Sequence, residues 1–180
     1  KRIMFPIINI RGNVVAFSGR AMPGDDKAGG KYVNTSDTPV YKKSENLFGI
    51  NYAKNNCSER VILVEGNMDV ISLHQAGFNY AVAPLGTAFT SEQVNLLARY
   101  TKEIVLMLDA DAAGQKAIKR ATQLLENTGL EVKVVVIPDG KDPDEFIKKN
   151  GPERFRALLE GAVSDIEYKL LMAADGINLE

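Results

Sequence analysis

Closely spaced carboxylates recur in the second half of the chain, each time at the end of a run of apolar residues. The three groups are Glu65 with Asp69, Asp109 with Asp111, and Asp139 with Asp142 and Asp144. Residues i and i+2 of an extended segment point to the same side, so Asp109 and Asp111 can direct both carboxylates at one point. Carboxylate oxygens are hard ligands that suit Mg²⁺ or Mn²⁺, ions that also bind substrate phosphates. The pattern therefore predicts a divalent-metal site.

Four short apolar runs, at 61–65, 80–85, 104–108 and 132–138, must position these acids. They mostly lack apolar/polar alternation, which is typical of strands covered on both faces in a parallel sheet. Helical patterns separate them, so the order of elements predicts an α/β domain with right-handed crossovers. In open α/β sheets, ligands bind in the crevice beyond the carboxyl ends of the strands, which is where the acids fall.

The helix predicted after Asp111 has an apolar stripe and a charged side. The stripe comprises Ala113, Ala117, Ile118, Ala121, Leu124 and Leu125. Lys116, Lys119 and Arg120 are predicted to face outwards, because they fall between the stripe positions.

The acids have a second interpretation. Carboxylates at helix N-termini are common because they cap the helix and complement its dipole. A single D-x-D after a strand is therefore a weak motif. Three acidic groups at successive strand ends favour the metal site.

The front of the chain is basic. Residues 1–57 contain nine Lys or Arg against four Asp or Glu, whereas the remaining 123 contain 13 against 19. This polarity predicts a polyanionic partner for the front and a cation for the rest. FPIINI and VVAFSGR flank a turn at Gly12 and Asn13, which predicts a hairpin, and KYV predicts a short strand.

Composition limits the class of protein. A hydrophobic content of 45% and a charged content of 25% are those of an ordinary soluble globular protein. No apolar run has the roughly 20 residues needed to cross a bilayer. Cys57 is the single cysteine and there is one histidine, so neither an internal disulfide nor a zinc site is expected. These features favour the cytoplasm, and the absence of an initiator Met at Lys1 suggests an excised fragment.

Helical patterns at 152–160 and 164–174 predict that a helical subdomain begins near the end of the chain. Ile166, Leu170 and Ala173 are predicted to form the face that packs on the core. The expected division is a basic α+β part at 1–57, an α/β part at 58–146 and a helical part at 147–180.

Several of these segments resemble one family. VEGNMDV (64–70), DADAAG (109–114) and PDGKDPDEF (138–146) resemble the Toprim signature as it occurs in bacterial DNA primases of the DnaG type. The front of the chain also resembles their catalytic core, through RIMFPI, FSGR, KYVNT, TPVYKK and LFGI. The resemblance covers nearly the whole chain.

The resemblance implies a Toprim-type parallel sheet flanked by helices, in a core that synthesises short RNA primers on single-stranded DNA from ribonucleoside triphosphates. It implies a nucleotidyltransferase that uses Mg²⁺ or Mn²⁺ in the bacterial cytoplasm. Contacts with the replicative helicase and single-strand-binding protein would lie in regions absent here.

The resemblance also assigns roles to residues. The metal positions would be Glu65, Asp69, Asp109, Asp111, Asp142 and Asp144. The catalytic positions would be Glu65, Asp109 and Asp111, with Glu65 as the general acid or base. The positions that handle template and nucleotide would be Arg2, Arg20, Lys31, Tyr32 and Lys43.

General chemistry agrees with these roles. Nucleotidyl transfer requires neutralisation of the triphosphate charge and in-line placement of the attacking hydroxyl, which metals on carboxylates supply. A template needs a track of Lys and Arg, and Tyr32 can stack on a base beside Lys31. The sequence departs from the family at Asn67, Ala110 and Ala112, and the change at 112 is expected to weaken a phosphate contact.

Two alternatives remain open from the sequence. The first is another Toprim enzyme, either a metal-dependent nuclease or a fragment of a topoisomerase. The second is a regulatory module with an acidic pocket, like a receiver domain, which would use one phosphoacceptor aspartate and a lysine at the end of a later strand. The number of acids favours an enzyme.

Overall fold

Two separate sheets organise the chain. In a computed structural model, residues 1–24, 30–86, 88–108, 112–137 and 142–175 are described. The first sheet is antiparallel, in the order β1-β2-β3, and the second has the order β5-β4-β6-β7-β8. The strands are β1 (Arg2–Ile8), β2 (Val14–Ala21), β3 (Tyr32–Asn34), β4 (Arg60–Leu63), β5 (Ala81–Val82), β6 (Glu103–Leu106), β7 (Glu131–Val134) and β8 (Val163–Ser164).

Six helices accompany these strands in the described part of the chain. They are α1 (Ile50–Ala53), α2 (Asn67–Gln75), α3 (Ser91–Leu97), α4 (Ala112–Leu125), α5 (Pro143–Glu160) and α6 (Asp165–Asp175). None of the described helices is both long and apolar enough to cross a membrane. α5 is broken at Gly151, where φ is 79° and Pro152 follows. Glycine adopts this left-handed conformation without steric cost, so the chain changes direction here.

The predicted hairpin and parallel sheet are confirmed. β1 and β2 pair antiparallel across a turn in which Gly12 has a φ of 90°. β4 pairs in parallel with β5 and with β6, and β6 pairs in parallel with β7. β8 was not predicted, and it pairs antiparallel with β7 at the edge of the sheet. Two residues are too few to produce a periodic pattern, and Ser164 also caps α6 by accepting the Glu167 backbone N–H at 3.1 Å.

The strands of the second sheet are covered on both faces, which explains their lack of polar alternation. Val61 and Leu63 of β4 belong to a core that includes residues of α1, α3, α4 and α6. Ile62 and Val64 belong to the core on the opposite face, with residues of α2 and α5. Successive side chains of a strand point to opposite faces, so each face requires its own apolar set.

The predicted packing face of α6 is wrong. Ile166 and Leu170 are 67% and 66% exposed, and Ala173 is also exposed. Tyr168 is the α6 residue that is buried in the core, at 7% exposure. An apolar stripe marks one side of a helix, but the position of its neighbours decides which side is covered.

A buried carboxylate joins three strands at the amino end of the second sheet. Glu103 begins β6, and its Oε1 lies 2.8 Å from Arg60 Nε on β4. Its Oε2 lies 2.7 Å from Lys133 Nζ on β7. The hydrogen bond to Glu103 is the main reason why the pKa of Lys133 is raised above its ordinary value. The network links the start of β6 to the start of β4 and to Lys133 within β7.

We expect Glu103→Gln to lower the free energy of unfolding by about 1–3 kcal/mol, because two partly buried cations lose their anion. Urea unfolding at neutral pH measures this change. Glu59→Gln is the matched control, since Glu59 is exposed and paired with Lys102 at the surface, and it should change stability by less than about 0.5 kcal/mol. Equal effects in the two variants would contradict a structural role for Glu103.

The only histidine is packed rather than exposed as a ligand. His74 Nε2 lies 2.9 Å from the Ala81 carbonyl oxygen, so Nε2 carries the proton in the neutral ring. Burial lowers the pKa of the imidazole below its ordinary 6.5, although the Ala81 carbonyl acts in the opposite direction. The unfolded chain therefore takes up the proton at a higher pH than the folded chain does.

We expect His74 to contribute stability that is present above pH 6.5 and is lost as the pH falls through the lowered pKa. The unfolding free energy of the parent should therefore fall more between pH 7.5 and pH 5 than that of His74→Gln. The imidazole proton signals, which arise from one residue, should titrate with a midpoint below 6.5. A midpoint at or above that value would refute the assignment.

Candidate functional site

A crevice of about 240 Å³ lies at the carboxyl ends of the parallel strands. Glu65, two residues beyond β4, lines it with an exposed side chain. Leu108, which follows β6, and Ala113, in the first turn of α4, line it as well. The chain leaves β4 to form β5 on one side and forms β6 on the other. Loops diverge at such a switch in strand order, and a ligand-binding crevice results.

Asp109 and Asp111, like Asp139, lie outside the described residues. Leu108 and Ala113 are described on either side of the DAD segment, and both line the same crevice as Glu65.

Asp69 lies in the first turn of α2 and is almost fully buried. Its Oδ2 accepts the Gly66 backbone N–H at 3.1 Å, so the carboxylate caps its own helix. Its Oδ1 accepts the Asp144 backbone N–H at 3.4 Å. The first and third acidic groups are therefore in direct contact, although 75 residues separate Asp69 from Asp144.

Asp144, at the start of α5, is surrounded by donors. The Ser72 hydroxyl of α2 donates to its Oδ1, and Lys148 Nζ lies 2.7 Å from its Oδ2. Burial by itself would raise the pKa of Asp144. This effect is outweighed by the hydrogen bonds from Lys148 and Ser72 and by the charges of Lys148 and Arg20. The pKa of Asp144 therefore lies below its ordinary value. The group is therefore an anion at neutral pH.

Asp142 caps α5. Its side chain accepts the Glu145 backbone N–H at 2.7 Å, and Pro143 occupies the first position of the helix. Capping was the second interpretation given to the acids, and it holds for both Asp142 and Asp69. Within the described residues, no three acidic, His or Cys side chains converge as a metal-binding group.

The residues predicted to handle template and nucleotide lie on two parts of the front segment. Arg2 donates to the backbone carbonyls of Gly19 at 2.8 Å and Gly30 at 2.9 Å, so it ties β1 to the segment that precedes β3. Arg20 lies 5.7 Å from the centre of the Tyr32 ring on the neighbouring strand. Lys31 is exposed beside Tyr32.

Lys43 is held near the crevice by a buried amide. It begins a single 3₁₀ turn, Lys43–Glu45. Gln93 of α3 is fully buried, and its Nε2 donates to the Lys43 carbonyl at 3.0 Å and to the Asn46 carbonyl at 2.7 Å. The Thr90 hydroxyl donates to the Ser44 carbonyl at 2.7 Å. The basic front segment is thus attached to the helix that follows β5.

Sequence reasoning missed Ser72, Lys148 and Gln93. Ser72 and Lys148 could have been found, because they stand three and four residues after Asp69 and Asp144 on the same helix faces. Nothing in the sequence indicates the contacts of the Gln93 amide nitrogen, whose carbonyl partners lie 50 and 47 residues away.

The chain matches two protein-family models. Residues 1–54 match the N-terminal domain of the DNA primase catalytic core. Residues 62–147 match a Toprim-like family. The first match favours a primase over a Toprim nuclease or topoisomerase, since it covers the segment outside the Toprim part.

Individual relatives agree with the models. A DNA primase of Clostridium acetobutylicum is 47% identical over 180 residues, which cover 99% of this chain and 30% of that protein. The solved structure of the Aquifex aeolicus primase zinc-binding and RNA polymerase domains is similar with a TM-score of 0.88 at 43% identity, over 97% of this chain and 43% of that one. A DnaG primase catalytic domain bound to single-stranded DNA is similar with a TM-score of 0.85 at 36% identity, over 96% of this chain and 56% of that one. The chain spans about a third of the length of the curated relatives that it matches.

We expect Ser72→Ala to lower the free energy of unfolding in metal-free buffer by about 1.5–3 kcal/mol, the usual range for a hydrogen bond to a charged group. The variant leaves the Asp144 carboxylate with one donor fewer at the contact between α2 and α5. Ser91→Ala is the matched control, since the Ser91 hydroxyl donates to Glu92 at the surface. Urea unfolding measures this free energy. Equal stability of the two variants would show that the contact between Ser72 and Asp144 is not a structural link.

Proposed function

Because the chain belongs to the bacterial DnaG-type DNA primases and forms part of their catalytic core, we propose that it takes part in the synthesis of short RNA primers on single-stranded DNA. Its contribution is the divalent-metal site and part of the nucleotide and template surface. The observation that carries the proposal is the position of the crevice, which has Glu65 on its wall at the carboxyl ends of the parallel strands.

We propose that the metal positions are Glu65 and Asp69, with Asp109 and Asp111 from the adjoining motif and Asp142 and Asp144 from the motif before α5. These groups offer only oxygen donors, which suit Mg²⁺ or Mn²⁺ better than zinc, an ion usually held with Cys or His ligands. The bound ion would neutralise phosphate charge.

The described acids differ in how free their carboxylates are to reorient. Asp69 and Asp144 are held by backbone and side-chain donors before any ligand arrives. Binding therefore needs little reorganisation at these two positions, a condition that favours a precise site. Asp142, like Asp69, would have to share its carboxylate between a helix cap and the ion.

In the proposed reaction, Glu65 accepts the proton of the attacking ribose hydroxyl. Its side chain is exposed within the crevice, so it can approach a bound substrate. A general base must come within hydrogen-bonding distance of the proton that it removes. Asp109 and Asp111 complete the proposed catalytic set.

The template is proposed to bind along the front sheet. Arg20 and Lys31 supply positive charge, and the Tyr32 ring is available for stacking on a base. Arg20 is also near enough to Asp144 to lower the pKa of that carboxyl group. The proposed template surface therefore adjoins the acidic edge of the second sheet. A nucleotide paired with the template can lie beside the metal there.

Other features of the family lie outside what the chain spans. We propose that contacts with the replicative helicase and with single-strand-binding protein are made by other parts of the longer relatives. The reaction is proposed to take place in the bacterial cytoplasm.

The test is Mn²⁺-dependent binding of a labelled ribonucleoside triphosphate to the 180-residue chain. We expect binding to require the ion and to weaken by about 10-fold or more in Glu65→Gln, a loss of about 1.4 kcal/mol. Glu59→Gln is the control for charge, since Glu59 lies at the amino end of the sheet beside Lys102. Metal-independent binding, or equal binding by Glu65→Gln, would refute the proposed site. Cleavage of single-stranded DNA without nucleotide would indicate a Toprim nuclease instead.

A further inference from the structure

We propose that Arg120 of α4 binds the triphosphate of the incoming ribonucleotide, in the groove that it lines together with Lys43. The inference rests on the proposed function and assigns a task to a residue that the sequence places on the outward side of its helix.

Two cavities meet at Arg120. The first is the crevice that contains Glu65, and Arg120 and Ala88 both line it. The second is a groove of about 560 Å³, which Arg120 and Ala88 also line, together with Lys43 of the front segment. Since the two cavities share these two lining residues, they adjoin. Arg120 therefore stands between the proposed metal edge and the basic turn.

The packing of α4 directs Arg120 to this position. Ile118 and Leu125 are buried in the core and fix the rotation of the helix. Ala113, Ala117 and Arg120 follow one another at intervals of four and three residues, so they share the face that lines the crevice. Ala113 and Ala117 are exposed to it, which corrects their assignment to the packed stripe. Their small side chains leave the space that Arg120 borders.

The charges of the groove suit a polyanion. Within the described ranges, neither Arg120 nor Lys43 forms a side-chain ion pair, whereas Arg60, Arg156 and Lys148 all do. One carboxylate, Asp37, lines the groove, and its Oδ1 accepts the Lys43 backbone N–H at 3.0 Å. The hydroxyl-bearing residues Ser36, Ser44 and Thr90 complete the polar lining.

A triphosphate fits this arrangement better than a template strand does. Two cations that line one groove match a chain of phosphates, and a planar guanidinium can bind two phosphate oxygens at once. The end of the groove opens into the crevice with Glu65, where the proposed metal would hold the reacting phosphate. The template surface at Arg20 and Tyr32 lies on the front sheet, which does not line this groove.

The experiment compares the 180-residue parent with Arg120→Met and Arg120→Lys. Lys119→Met is the matched control, because it removes a neighbouring positive charge that borders a different groove, between α4 and α6. At saturating free Mn²⁺, labelled ATP is titrated into each protein, and inorganic tripolyphosphate is used as the competitor. Mn²⁺ binding is measured by electron paramagnetic resonance, and binding of a labelled single-stranded DNA oligonucleotide by fluorescence anisotropy.

We expect Arg120→Met to weaken binding of ATP and of tripolyphosphate by about 10-fold or more, with a smaller loss in Arg120→Lys. Mn²⁺ and DNA binding should stay unchanged in all variants, and Lys119→Met should bind ATP as the parent does. Parent-like ATP binding by Arg120→Met would overturn the inference, as would an equal loss of Mn²⁺ binding, which would indicate a structural role. Loss of DNA binding alone would assign Arg120 to the template. If the parent itself binds no ATP with Mn²⁺, the proposed function fails together with the inference.

Discussion

The burial of the parallel strands on both faces is the constraint on which the rest of the structure depends. A charged side chain in the middle of β4 or β6 would lie in one of two apolar cores without water, at a cost of several kcal/mol. Charges are therefore confined to the ends of these strands. At the amino end, Glu103 lies between Arg60 and Lys133, so the charges are neutralised within the sheet itself. At the carboxyl end, Glu65 is exposed in the loop after β4, and Asp69, Asp142 and Asp144 lie at the starts of α2 and α5.

The acidic edge is organised before any ligand binds. Asp69 caps α2 and also accepts a backbone N–H from the start of α5, and Asp144 accepts the Ser72 hydroxyl of α2. These contacts join two helices whose N-termini face the same edge. Lys148 offsets part of the negative charge at Asp144. The rotation of these two carboxylates is already restricted, so they lose little conformational entropy when they bind a metal.

The attachment of the basic front segment to the acidic edge relies on buried polar groups. Gln93 is fully buried, and its amide nitrogen donates two hydrogen bonds to carbonyls of the Lys43 turn. An unsatisfied carbonyl or amide at this depth would cost about 1–3 kcal/mol, so the geometry tolerates little displacement. Asn34 of β3 makes a further link by donating to the Leu85 carbonyl at 3.4 Å. These hydrogen bonds attach the basic front segment to α3 and to the segment that follows β5.

The sequence by itself determined the class of fold, since unbroken apolar runs between helical patterns occur where both faces of a parallel sheet are covered. It indicated that Glu65 and Asp69 follow the carboxyl end of a strand. It also indicated the hairpin at Gly12 and the family. Only the tertiary structure decided which acids touch, because Asp69, Ser72 and Asp144 meet across more than 70 residues. It likewise decided that Tyr168 rather than Ile166 is covered in α6, and that Arg120 borders a groove. The physical reason is that periodicity encodes the side of an element that is apolar, whereas its neighbours in space determine what each side meets.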